Sequence, residues 1–312
     1  MVCCVSFLQV LAVLPVLAIS GHGQATKDCG QVLIHRWFLY LFDTSLRRTC
    51  GYSGPTPYWD WSRDHADLAG SPVFEESPEY GLGGTGNCEA DCIVTTGAFA
   101  NFELAWPIPH QLRRNMTLIT GWFDHEQPQN RTLGPEFVRK SIERHAGDYF
   151  SFQHAMELMH NHVHNFVGGD LAGDCPKALP EEDCRDLAVS FTPNDPIFWL
   201  HHAQLDRLWN KWQRHHPSNF DAFSGVPLHP HKMNESSYDF DAHADRKMPF
   251  DVQSVPVAPR RVFDTEAWPL CYSILSRELP LKDENEILML LTQRPAQVKS
   301  WLVFALGLTL HL

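Results

Sequence analysis

The stretch of sequence that decides the fold covers residues 192–209 and reads TPNDPIFWLHHAQLDRLW. An aspartate followed by proline is typical of a helix start, because the carboxylate caps free amides and proline fits the first turn. The sequence therefore predicts a helix over 195–215, with Asp195 as its N-cap. His202 and Asp206 are four residues apart on one face of this helix, so the aspartate can hold groups around a histidine ligand in place.

A second stretch lies upstream at residues 160–170 and reads HNHVHNFVGGD. It falls in a predicted core helix over 148–167, where His160 and His164 are four residues apart. That spacing stacks both imidazoles on one face, close enough to bind one metal ion. An isolated pair of this kind is more often two exposed histidines, so the prediction depends on a third ligand.

The third ligand is predicted to be His202. Its neighbour His201 points about 100° away on a helix, and at most one of the two is expected to bind the same ion. His162 lies on the far side of its own helix and is also set aside. Three neutral imidazoles suit copper, and also zinc or iron.

Together these two stretches resemble the second copper motif of the type 3 copper proteins, which are tyrosinases, catechol oxidases and molluscan haemocyanins. In that family a His-x-x-x-His helix followed by Gly-Gly supplies two ligands, and the second histidine of Asp-Pro-x-Phe-x-x-His-His supplies the third. The resemblance implies that His160, His164 and His202 bind one copper ion. It also implies a mainly α fold, with a four-helix-bundle dicopper core and long ordered loops.

Residues 35–43, HRWFLYLFD, resemble the end of the family's first copper motif, although Asp43 stands where glutamate is usual. His35 matches the third ligand of that motif. The second ligand would fall near Thr26, and the upstream His22 has the wrong spacing. Two explanations stay open: a missing or misjoined N-terminal segment, and an evolved loss of the first copper.

The resemblance spans residues 33–215 and is strongest to fungal tyrosinase-like proteins. Residues 57–61 (PYWDW) and 94–101 (VTTGAFAN) lie in a Gly- and Pro-rich stretch that we expect to be an ordered loop with buried aromatics. Further helices are predicted over 32–48 and 135–146.

Two residues beside the ligands are implied to take part in catalysis. In the family an asparagine after the first ligand, with a nearby glutamate, is proposed to orient a water that deprotonates monophenols. Asn161 and Glu157 are the candidates, and a solvent-facing helix position is the alternative for Glu157. Phe198 is expected to pack on the ligands, while Arg36 and Asp206 are expected to tie helices together by charge-assisted hydrogen bonds.

The N-terminus and the cysteines predict export. An apolar run over 5–19 resembles a signal peptide cleaved after Ser20, with a buried core helix as the alternative. The predicted organisation is a signal at 1–20, a copper domain at 21–225 and a C-terminal extension at 226–312. Disulfides are predicted as Cys88–Cys92 and Cys175–Cys184, with Cys29–Cys50 as a third possibility. Sequons stand at Asn115, Asn130 and Asn234.

The predicted function is a secreted copper-dependent oxidase that converts phenols or catechols to o-quinones with dioxygen. The alternative is a non-catalytic copper- or dioxygen-binding protein with a degenerate first site, because each copper supplies one electron and one ion cannot complete a two-electron step. The expected partners are a small phenolic substrate and dioxygen. A net charge of −12 argues against nucleic acid, and no membrane partner is expected.

Overall fold

A computed structural model describes residues 31–117, 132–184, 187–224, 244–245, 247–250 and 254–273. The predicted signal peptide lies outside these residues, as do His22, Cys29 and the sequons at Asn130 and Asn234. The predictions made for them stay predictions.

The described residues are mainly helical, which confirms the predicted fold class. The helices are α1 Gln31–Cys50, α2 Pro135–Glu143, α3 Tyr149–Val167, α4 Gly169–Ala172, α5 Glu181–Cys184, α6 Ala188–Phe191 and α7 Pro196–His215. Two antiparallel pairs of short strands accompany them: β1 Glu103–Leu104 with β2 His110–Gln111, and β3 Met248–Phe250 with β4 Ser254–Val257. Short 3-10 helices cover Pro72–Phe74, Cys88–Ala90, Thr192–Asn194, Pro217–Asn219 and Pro259–Val262.

The helix starts follow from local capping. The Asp195 carboxylate accepts a hydrogen bond of 2.9 Å from the amide of Ile197, which confirms the predicted N-cap of α7. Asp148 caps α3 in the same way through the amide of Ser151. Helix α2 ends at Glu143 rather than at the predicted residue 146, because the chain must turn at Gly147, whose φ is +73°, before the cap of α3.

Helix α7 lies at the centre of the core and packs against α1, α2 and α3. Its Trp199 stacks on Phe42 of α1 with ring centroids 3.9 Å apart, and its Trp212 stacks on Phe152 of α3 at 4.4 Å. Large aromatic faces therefore join the helices that carry the histidines.

The long segment between α1 and β1 is an ordered loop with buried aromatics, as predicted. Trp59 and Trp61 are fully buried in the core. The amide of Trp59 donates a 3.1 Å hydrogen bond to the carbonyl of Leu200, so the loop is attached directly to α7. This attachment brings the indole of Trp61 beside the histidine pair of α7.

Arg36 and Asp206 join α1 to α7, which confirms the predicted tie between helices. The guanidinium is fully buried and donates to the Asp206 carboxylate and, at 3.0 Å, to Gln213. It lies 3.5 Å over the ring of Trp209. The hydroxyl of Tyr272 donates to the other Asp206 oxygen at 2.6 Å.

Part of the predicted C-terminal extension packs on this core. Within residues 254–273, the side chains of Val257, Val262, Phe263 and Leu270 are buried among the core residues. Arg36 also donates to the carbonyls of Val262 and Phe263 at 2.9 and 3.2 Å. The described part of the extension is therefore in close contact with the helices, while the proposed boundary at 225 stays a prediction.

Two of the predicted disulfides are present, Cys88–Cys92 and Cys175–Cys184. Each closes a short loop, of sequence separation 4 and 9. The pair Cys29–Cys50 stays a prediction, since Cys29 lies outside the described residues. No helix within the described ranges combines the length and the apolar character that a bilayer span requires.

Candidate metal centre

Four buried histidines meet between α3 and α7. His160 and His164 come from α3, and His201 and His202 come from α7. Each offers a nitrogen that lies within 4.8 Å of those of the other three. His160, His164 and His202 are the ligands predicted from the sequence, and the structure adds His201.

Hydrogen bonds on the far side of each ring decide which nitrogen of His164 and His160 can bind a metal. Nδ1 of His164 lies 2.6 Å from the carbonyl oxygen of Leu171, and Nδ1 of His160 lies 2.9 Å from Oδ1 of Asn161. Both oxygens accept only, so each Nδ1 carries the proton. The lone pair of each ring is therefore on Nε2, available to a cation.

The turn after α3 places the carbonyl that fixes His164. Gly168 and Gly169 have φ values of +65° and +55°, which non-glycine residues rarely adopt. A Cβ on Gly169 would stand 2.3 Å from the carbonyl oxygen of Arg113. The Gly-Gly pair after the second ligand is thus required by the sharp reversal that brings Leu171 back to the ring of His164.

His202 supplies the third nitrogen of the predicted set. Its Nε2 lies 3.4 Å from Nε2 of His164. Two imidazole nitrogens that share one tetrahedral ion, each about 2.0–2.1 Å from it, would stand roughly 3.3 Å apart. The observed separation therefore fits two ligands of one ion. Nδ1 of His202 is buried and has no hydrogen-bond partner among the described residues.

His201 is buried beside His202, and its ring has a different partner. The indole nitrogen of Trp61 donates a 3.2 Å hydrogen bond to Nδ1 of His201. The sequence could not show this contact, because Trp61 lies 140 residues earlier in the chain. The prediction that His202 rather than His201 binds the metal stays a prediction.

His35 of α1 reaches the same cluster. Its ring centroid lies 3.8 Å from that of His202 and 6.2 Å from that of His160. All four predicted metal ligands are thus brought together by three helices. The described residues begin at Gln31, so the structure does not test the positions upstream of His35 that correspond to the two further ligands of a first copper motif.

Burial keeps these imidazoles neutral. It lowers the pKa of His160 to about 4, against a smaller opposite effect of the hydrogen bond with Asn161. Burial also lowers the pKa of His164 and of His202 well below the usual value for histidine, and the neighbouring histidines lower it further. Neutral imidazole is the form that binds copper, so the cluster fits a copper ion.

The surroundings of the cluster agree only partly with the sequence predictions. Phe198 packs against the histidines as expected, with its ring centroid 4.2 Å from that of His202. Asn161 binds the ring of His160 through its side-chain oxygen. Glu157 lies one turn before His160 and is partly exposed. The proposal that Asn161 and Glu157 act together on a water stays a prediction.

A buried cluster of neutral histidines on facing helices is the arrangement in which helix bundles hold metal ions. Residues 32–215 match the family model described as the common central domain of tyrosinase. The chain therefore belongs to the tyrosinase family, whose members bind copper and use phenolic substrates and dioxygen.

Proteins with sequences similar to this chain carry tyrosinase or tyrosinase-like names. A tyrosinase-like protein of Diaporthe leptostromiformis is 29% identical over 76% of this chain and 61% of its own length. A tyrosinase of Streptomyces glaucescens is 32% identical over 62% of this chain and 66% of its own length. The chain thus spans somewhat less than two thirds of the length of these two relatives.

A solved structure shares the fold. A polyphenol oxidase variant from Thermothelomyces thermophila superposes with a TM-score of 0.58, at 24% identity, over 87% of this chain and 78% of that one. The likeness supports the helical core described above.

Proposed function

We propose that this protein is a copper-dependent oxidase that converts phenols or catechols to o-quinones with dioxygen. The observation that carries the proposal is the convergence of His160, His164 and His202, with His35 beside them. Copper, when bound there, would take electrons from the phenol and pass them to dioxygen. The family membership supports this reaction class, and tyrosinase is the printed name of relatives such as the Streptomyces glaucescens protein.

The residues of this chain would prepare the site in two ways. Leu171 and Asn161 hold His164 and His160 with Nε2 free, so the protein pre-organises the lone pairs before a metal arrives. The aromatic ring of Phe198 covers the cluster on one side, since it contacts His202 and, at 5.6 Å between centroids, His35. A covered cluster of this kind limits access of water to the metal.

A second candidate function is copper or dioxygen binding without turnover. It is favoured by one observation: among the described residues, only His35 represents the first copper motif, while the second motif is represented by His160, His164 and His202. A single copper could bind ligands but could not supply the two electrons that dioxygen needs for each catechol oxidised.

Copper content and turnover separate the two functions. The purified protein, loaded with copper, is expected to hold two ions per chain and to form o-quinone from a catechol with uptake of dioxygen. One ion per chain without quinone formation would refute the oxidase and support the binding protein. His202→Ala should lose copper from the second site, and the matched control His215→Ala, at an exposed histidine of the same helix, should retain it.

We further propose that the protein is secreted, glycosylated and selective for monophenols. Secretion is supported by the apolar run at 5–19 and by the two disulfides, which persist in oxidising compartments. Glycosylation is supported by Asn115, whose side chain is exposed. Preference for monophenols is supported by Asn161 beside the first ligand. Mass spectrometry of the secreted protein would show a mature N-terminus after residue 20 and a glycan on Asn115.

A further inference from the structure

His201 lies inside the histidine cluster, yet its hydrogen bonds differ from those of its neighbours. Its ring centroid is 5.0 Å from that of His202, 5.3 Å from that of His164 and 5.4 Å from that of His160. By proximity alone it would be counted as a fourth ligand. The hydrogen bond that its ring makes with Trp61 argues instead that His201 does not bind the metal.

The partner is the indole of Trp61. An indole N–H can only donate, so Nδ1 of His201, at 3.2 Å, must accept. A neutral imidazole that accepts at Nδ1 carries its proton on Nε2. This is the reverse of His160 and His164, whose Nδ1 atoms donate to oxygen acceptors. Trp61 and His201 are both fully buried, so water does not compete for this bond.

Neither nitrogen of His201 then offers a lone pair to a metal. Nδ1 is engaged by the Trp61 proton, and Nε2 bears its own proton. Nε2 is also buried and has no hydrogen-bond partner among the described residues. A buried N–H without an acceptor is costly, and native proteins keep such groups mainly where a ligand or water satisfies them.

From this geometry we propose that His201 is not a copper ligand but a hydrogen-bond donor to a small anion or oxygen ligand held at the copper. Trp61 is the positioning residue, because its indole fixes the tautomer that places the proton on Nε2. The inference rests on the proposed function, since it requires copper at this cluster. It assigns the two adjacent histidines of α7 different tasks: His202 binds the metal and His201 binds what the metal holds.

The tautomer can be measured without copper. Long-range 1H–15N NMR of the metal-free full-length protein is expected to show His201 as the Nε2–H form, and His160 and His164 as the Nδ1–H form. Trp61→Phe should remove the preference of His201 and give a mixture of tautomers. An Nδ1–H form of His201 in the unsubstituted protein would overturn the inference.

Copper content and azide affinity then test whether His201 donates a hydrogen bond to a ligand of the copper. His201→Gln keeps an N–H near the position of Nε2, and His201→Leu removes it at similar volume. Both are expected to keep the copper content of the unsubstituted protein, while His202→Gln loses copper. Azide affinity, titrated by absorbance on the copper-loaded protein, should stay within about threefold for His201→Gln. It should fall by about tenfold or more for His201→Leu, as expected for a lost hydrogen bond to a charged group.

Each part of the proposal would be overturned by a different result. Loss of copper in both His201 variants would make His201 a ligand and overturn the inference. Unchanged azide affinity in His201→Leu would overturn the donor role. If His201→Leu does not fold, judged by circular dichroism, the Gln variant and the NMR measurement still decide. Unsubstituted protein that takes up no copper would overturn the proposed function itself, which the copper assay shows before any variant is made.

Discussion

Replacing Arg36 with methionine should destabilise the protein more than any comparable surface change. Arg36 is fully buried, and its Nε donates to the carboxylate of Asp206, which is itself only 6% exposed. Methionine fills much of the volume and removes the charge and the donors. The substitution therefore leaves a buried carboxylate without its cation, and it leaves the Val262 carbonyl and Oε1 of Gln213 without their donor. The Phe263 carbonyl keeps the hydrogen bond from Gln213.

The expected loss in the free energy of unfolding follows from these lost contacts. Breaking a buried ion pair by removing one partner costs about 3–5 kcal/mol, because the remaining charge is left uncompensated. Tyr272 still donates to Asp206 at 2.6 Å, which offsets part of that cost, while the unpaired Val262 carbonyl and Oε1 of Gln213 add about 1 kcal/mol each. The expected loss in the free energy of unfolding is about 5 kcal/mol, a large share of the roughly 5–15 kcal/mol that a domain has.

The matched control is Arg139→Met on α2. Arg139 pairs with Glu136 and Glu143, but all three side chains are largely exposed. Exposed pairs of this kind contribute about 0.2–1 kcal/mol each. Both variants lose one arginine and one positive charge, so burial of the ion pair is the main difference between them.

Urea unfolding, followed by tryptophan fluorescence and by circular dichroism, measures the difference through the midpoint and the slope. Arg36→Met should shift the midpoint strongly, and Arg139→Met should leave it nearly unchanged. The reasoning would be refuted if the two variants unfolded within about 1 kcal/mol of each other. A midpoint shift with a changed slope would indicate instead that residues 254–273 have detached from the native state, which limited proteolysis would show.

Three further predictions concern the metal cluster. In the metal-free protein, the pKa of His160 is about 4 when folded and about 6.5 when unfolded, so the unfolded state binds more protons between these values. The free energy of unfolding should therefore fall by about 3 kcal/mol as pH falls from about 6.5 to 4, and a flat profile in urea titrations would contradict this. Gly169→Ala places a Cβ 2.3 Å from the carbonyl of Arg113 at a φ of +55°, and thermal unfolding should show a loss of roughly 2–4 kcal/mol. Gly84→Ala, whose Cβ meets nothing closer than 3.5 Å, should change stability little, and equal losses in both would count against the argument. Copper should raise the melting temperature with concentration, because it binds only the folded cluster, and a chelator should reverse the rise.

The sequence was sufficient for features that depend on near neighbours in the chain. The pairing of His160 with His164 follows from a spacing of four on a helix, and the start of α7 follows from Asp195 and the proline after it. Both are set within one or two helical turns, so local geometry decides them. The family resemblance then supplied His202 and His35, which no local rule would have joined to the first pair.

The sequence was insufficient for features that depend on distant partners. Trp61 and His201 are 140 residues apart, and only the packing of the loop on α7 brings them to 3.2 Å. The same holds for Tyr272, which returns to Asp206 from 66 residues away.

The histidine cluster between α3 and α7 shows where this division falls. The sequence by itself placed His160 and His164 on one face of α3, because helical periodicity stacks residues four apart, and the family resemblance added His202 of α7. The tertiary structure decided which nitrogen of each ring holds a proton. A tautomer is set by the group on the far side of the ring, and here those groups are the carbonyl of Leu171, the amide of Asn161 and the indole of Trp61.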